Sequence, residues 1–124
     1  MLGYWLLALS KFNALVLPTA KGQWPKAMII RIVRMHFTEP GLQEFLEIFH
    51  ANKIAIRNFE GCTHLELLKD LDNEFIYTTL SYWRDHESLD CYRKSELFAS
   101  VWGRVKTLFA ERTQAFSLIR YVEM

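Results

Sequence analysis

From Met28 onward, apolar and polar positions follow periods that change from two to 3.6 and back. Ile29–Phe37 is short and dense in β-branched and apolar residues, which predicts a strand. Its alternating sets are Ile29, Arg31, Val33, Met35, Phe37 and Ile30, Ile32, Arg34, His36; both are largely apolar, so both faces are expected to be covered. Thr38 reads as an N-cap, with Glu39 and Pro40 in the first turn. Leu42, Phe45, Leu46, Phe49 and Ile56 then recur at helical spacing and predict a helix over 40–57, closed near Gly61. Strands are predicted over 62–69 and 75–83, joined as a hairpin by Asp70-Leu71-Asp72-Asn73. Asp85 can cap a short helix through Arg93. Ser95 and Glu96 open a longer one, whose apolar stripe runs through Leu97, Phe98, Val101, Trp102, Val105, Leu108 and Phe109. A last strand is predicted over 116–122. The order β-α-β-β-α-β predicts an α+β, ferredoxin-like fold with an antiparallel sheet.

That fold covers one sheet face with helices and leaves the other bare. A bare apolar face is a patch that soluble monomers avoid, so a homodimer pairing the two sheets is expected. The first 27 residues, a leader to this pattern, or a different protein could cover it instead. Composition adds exclusions. Fifteen basic and fourteen acidic residues leave a net charge of +1, which predicts no nucleic-acid partner. No apolar run reaches the ~18 residues of a membrane span. Two cysteines are too few for a disulfide scaffold, and no pair of histidines has i, i+4 ligand spacing, so no metal is expected. There is no glycine-rich phosphate loop either.

Residues 1–27 have another texture. They hold three lysines and no acid, leaving the remainder of the chain two charges negative. We treat them as an N-terminal extension to a domain over 28–124. The extension is open to three readings: upstream sequence before a start at Met28, a secretory signal, or an ordered segment packing on the domain. Pro18 and the absence of a positive charge before Leu2–Leu9 make a poor signal. With unpaired cysteines, that favours the cytoplasm.

The run GCTHLELLKD, the strand IYTTLSYW and the segment SLDCYRKSELFASVW resemble the antibiotic biosynthesis monooxygenase (ABM) family, whose members are dimeric α+β barrels. The resemblance covers about Met28 to Phe116. It rests on the Gly61-Cys62 strand entry, the strand ending in Tyr82-Trp83, and the Tyr92, Ser95, Phe98, Trp102 helix pattern. It implies a cofactor-independent monooxygenase, with neither metal nor flavin, that oxidises a small aromatic or quinol-type compound with dioxygen. The alternative on the same scaffold is a non-catalytic, small-ligand-binding or stress-related dimer. A haem-degrading branch of the superfamily uses a strand asparagine, a helix tryptophan and a helix histidine. Arg34, Tyr92 and Trp102 stand at those positions here, so that activity is not implied.

Five residues are the candidates for chemistry. Arg34, in a strand expected to be buried, would stabilise an oxyanion, or pair with Glu66, Glu96 or Asp90. His36 shares that strand face, which is expected to turn toward the helices, and would be the base, or a strand-end histidine in solvent. The resemblance implies that Tyr82, Tyr92 and Trp102 line the substrate slot; the plain alternative is that they belong to the core. His64 alternates with Leu65 and Leu67 and is expected to face the dimer seam. His50 and His86 read as helix-surface residues.

Overall fold

A computed structural model describes residues 27–124; the expectations for the leader lie outside the described residues. The elements are β1 (Ile29–His36), α1 (Glu39–Arg57), β2 (Cys62–Lys69), β3 (Ile76–Trp83), α2 (His86–Arg93), α3 (Glu96–Val105), a 3-10 turn (Lys106–Leu108) and β4 (Gln114–Leu118). The sheet is antiparallel with order β2-β3-β1-β4, which is the ferredoxin-like arrangement.

The predicted caps form. The Thr38 hydroxyl accepts from the Gly41 amide at 3.0 Å, the Asp85 carboxylate from Ser88 at 2.8 Å, and the Ser95 hydroxyl from Phe98 at 3.1 Å. The hairpin turn is held by Asp70, whose carboxylate accepts from the Asp72 and Asn73 amides.

Two boundaries differ from expectation. The last helix stops at Val105 and tightens, because Phe109 must extend to bridge Phe37 while the Leu108 carbonyl accepts from the Thr38 amide. The final strand runs over 114–118 in place of 116–122. Its partner β1 explains this: pairing starts at Arg34 with Gln114 and ends at Ile30 with Leu118, where β1 itself runs out.

The register fixes the faces. Met35 lies across from Tyr77, Arg31 from Ser81 and Ile29 from Trp83, and these positions turn toward the helices. One core cluster joins Met35, Phe37, Phe45, Ile48, Tyr77 and Val105; a second joins Ile29, Cys62, Trp83 and Leu89. A bulge between Cys62 and His64 lets Cys62 enter the second cluster while His64 turns to the other face.

Gly61 makes the entry to β2. Its φ is +89°, and a side chain there would collide with Ser88 of α2, while its carbonyl accepts from the Arg84 amide at 2.7 Å. Gly61→Ala is expected to cost about 3 kcal/mol, from the left-handed backbone and the overlap together. Thermal denaturation should show a midpoint about 10–20 °C lower.

Candidate functional site

Between the helix-facing side of the sheet and helices α1–α3 lies a cavity of about 540 Å³, within the range of small-molecule sites. Its walls are aromatic because α2 and α3 each turn such a residue inward. Tyr92 stacks on Trp83 with ring centroids 4.8 Å apart and meets Phe98 edge-on at 5.3 Å. Phe98 and Trp102, one helical turn apart, lie nearly parallel at 6.1 Å. The floor is β1, β3 and β4, with Arg31, Val33, Thr79, Ser81 and Ala115 exposed to the space.

The charged groups that line it among the described residues are Arg31, Asp90, Arg93 and Lys94. Arg31 reaches in from β1, and its Nη1 donates to the Ser117 hydroxyl at 2.8 Å. Burial, and secondarily the charge of Arg93, lower the Arg31 guanidinium from its ordinary value. No carboxylate pairs with it among the described residues. Asp90, which also lines the cavity, accepts from the Lys94 ammonium at 2.8 Å; that hydrogen bond, then the charge, holds its carboxyl below the usual range. At the β4 side, the Thr113 hydroxyl is buried without a hydrogen-bond partner.

Tyr92 is the strongly perturbed group. Burial, helped by the neighbouring Cys62, pushes its phenol up to about 12, so it stays protonated and can only donate or accept neutrally at ordinary pH. The unfolded phenol ionises near about 10. Between those values the folded chain keeps a proton that the unfolded chain releases, so stability falls as pH rises through that window. The loss should approach about 3 kcal/mol at most, and Tyr92→Phe should remove it; denaturant unfolding at stepped alkaline pH reads both.

The five candidates divide. Tyr92 and Trp102 line the cavity. Arg34, His36 and Tyr82 do not, and the expectation that Arg34 and His36 face the helices is corrected. Buried Met35 and Trp83 anchor the strands, so the even positions of β1 and β3 fall on the open face. Arg34 is exposed there, His36 sits 3.4 Å from Glu111, and Tyr82 packs against the His64 ring at 4.8 Å. His64 faces away from the helices as expected, its Nε2 2.6 Å from Glu66. His50 and His86 are exposed on their helices.

Arg31, Asp90, Arg93 and Thr113 were missed. For Arg31 a signal existed. Its set carries one polar residue in five, and the opposite set two in four, so the first is the better core face. Asp90 and Arg93 sit three apart on α2, but nothing in the sequence tells which helix face meets a void. Among the described residues, no group of three or more His, Cys, Asp or Glu is placed to hold a metal ion. No helix among them is long and apolar enough to cross a membrane.

The sequence model of the antibiotic biosynthesis monooxygenase family matches residues 28–101, more than half of the chain. The chain belongs to this family. The ABM match starts at Met28, where the strand pattern starts. A conserved protein from Methanosarcina mazei superposes with a TM-score of 0.73 at 21% identity, covering 77% of this chain and 94% of its own. A Caulobacter crescentus protein that carries the ABM name gives 0.72 at 17%, covering 77% and 91%. A Mycobacterium tuberculosis protein gives 0.71 at 17%, covering 76% and 95%. At these identities the likeness is one of fold. The comparison with curated proteins gives no match.

Proposed function

We propose that this ABM protein is a cofactor-independent monooxygenase, acting as a homodimer on an aromatic phenol or quinol in the cavity beside Arg31. The observation that carries the reading is a guanidinium without a carboxylate partner, set in an aromatic-walled space large enough for such a ring. Arg31 takes the role first given to Arg34. A cation held in poor solvent favours the ionised hydroxyl of a bound substrate and lowers its pKa. The Tyr92 phenol, protonated throughout the working range, adds a neutral donor. The departing proton goes to water at the opening, because the Lys94 ammonium holds the Asp90 carboxylate at the rim as a weak base.

Ionisation pushes electrons to the ring carbon conjugated with the oxygen, and that carbon reduces dioxygen. A carbon–oxygen bond forms, the resulting peroxide takes up a proton, and loss of water leaves a carbonyl. The ring C–H and the hydroxyl O–H are lost and that carbon becomes C=O, so a phenol and dioxygen give a quinone and water, with one atom of the dioxygen in each.

Oxygen consumption across phenols, quinols and anthrones tests this. At least one substrate should be oxidised above its spontaneous rate, and Arg31→Met should lower kcat/KM by about 100-fold, as for loss of one oxyanion donor. Saturable binding without oxygen uptake by any of them would overturn the oxygenase reading and leave a ligand-binding dimer.

The homodimer rests on the open sheet face. Ile30, Ile32, Leu80, Phe116 and Leu118 share it by register, and Phe116 and Leu118 are 50% and 47% exposed. A second copy placed sheet to sheet would bury them. Cytoplasmic residence, expected from the cysteines, is part of the same proposal.

A further inference from the structure

The cavity carries more positive charge than one ionised hydroxyl can balance. Arg31 and Arg93 both border it, close enough for the Arg93 charge to act on Arg31. Asp90 is the one carboxylate among the described lining residues, and the Lys94 ammonium already holds it at 2.8 Å. That ion pair is net neutral, and although the Asp90 carboxylate also feels the Arg93 charge, the two guanidiniums leave the lining with two net positive charges. Neither forms an ion pair with any carboxylate among the described residues. Like charges placed together without a counter-ion repel, and that repulsion is relieved when an anion enters. A phenolate at Arg31 supplies one negative charge. Arg93, exposed at the rim on the last turn of α2, still lacks one.

We propose that the substrate carries a permanent carboxylate next to the ionising hydroxyl: a fused-ring hydroxyaryl carboxylic acid, its carboxylate held by Arg93 and its hydroxyl by Arg31. This deepens the reading of the cavity as the substrate site and rests on it. Arginine suits both tasks, since its planar fork matches a carboxylate and its charge does not titrate away. The two roles separate in space. Arg31 rises from the floor of the cavity and is bonded to Ser117, so it faces the ring's reacting end. Arg93 stands on the surface, so it reads a substituent at the opening and contributes to selection more than to chemistry.

Titration calorimetry on the full chain with two probes, 1-naphthol and 1-hydroxy-2-naphthoate, tests this at neutral pH. The acid should bind at least about tenfold more tightly, and raising salt should shrink that advantage, as for an ion pair at the rim. In Arg93→Gln the two probes should bind alike. Because Arg93 is exposed, this variant keeps its fold, which its melting curve checks. Arg93→Lys should restore part of the preference. Equal binding of the two probes by the parent protein would overturn the inference while leaving the oxygenase reading intact. So would a preference for the acid that survives in Arg93→Gln. Failure of both probes to bind would overturn both.

Discussion

Replacing Trp83 by alanine is expected to destabilise the protein by about 4 kcal/mol and to lower its melting midpoint by about 15–30 °C. Trp83 is 0% exposed, and it holds together the half of the core that frames the cavity. Its ring lies between Phe59 at 6.3 Å and Tyr92 at 4.8 Å, so truncation removes two aromatic contacts along with the buried area. Its Nε1 donates to the Ser81 hydroxyl at 3.0 Å, and the variant leaves that buried hydroxyl without this partner. The new void opens into an existing one, so collapse of neighbouring side chains recovers little. Trp102→Ala is the control. Trp102 is only half-buried on the cavity wall, and its loss should cost about half as much. Guanidinium denaturation of both variants measures the difference. A Trp83→Ala midpoint within a few degrees of the parent protein would show that the second cluster contributes little to stability.

Most of the fold was legible because local signals agreed with one another. Thr38, Asp85 and Ser95 each announce a helix, and each caps one through the expected amide. The Asp70–Asn73 stretch announces a turn and closes it with the Asp70 carboxylate. Family membership followed from the same residues. The site was half legible. Trp102 could be placed because it falls on the apolar stripe of the last helix, and Tyr92 because the family resemblance pointed to it. Arg34, His36 and Tyr82 could not, because β1 is apolar on both faces. Alternation separates core from solvent only when one side is polar, and here the second side is itself an apolar sheet face. A one-residue error in phase moves every side chain across the sheet, and the true cavity arginine, Arg31, lies three positions from the expected one. Thr113 carried no signal at all: its hydroxyl matters because β4 pairs from Gln114 and leaves it beside the void.

The same two-sided strand sets the last expectation. In the proposed dimer Phe116→Asp should raise the dissociation constant by about 1,000- to 10,000-fold while leaving the protomer folded. Phe116 is half exposed in the protomer and lies across from Ile32 on the open face, so an aspartate there meets water when the chain is alone. Against a second sheet it would be buried with Ile30, Ile32 and Leu80, none of which can pair with it. Burying one such carboxylate costs about 2–3 kcal/mol after relaxation, and a two-fold axis brings in two copies, so the penalty is about 5 kcal/mol in the dimer. Arg34 shares the face two positions along the neighbouring strand, across from Gln114, a diagonal that a long side chain spans, so the full effect is read with Arg34→Gln in both the variant and its reference protein. Sedimentation velocity over a range of micromolar concentrations separates the species, and circular dichroism checks that the variant retains its fold. A parent protein that sediments as a single chain, or a Phe116→Asp protein that still sediments as a pair, would mean that something other than a second copy covers this sheet. The cavity would then be complete within one chain, and its chemistry independent of assembly.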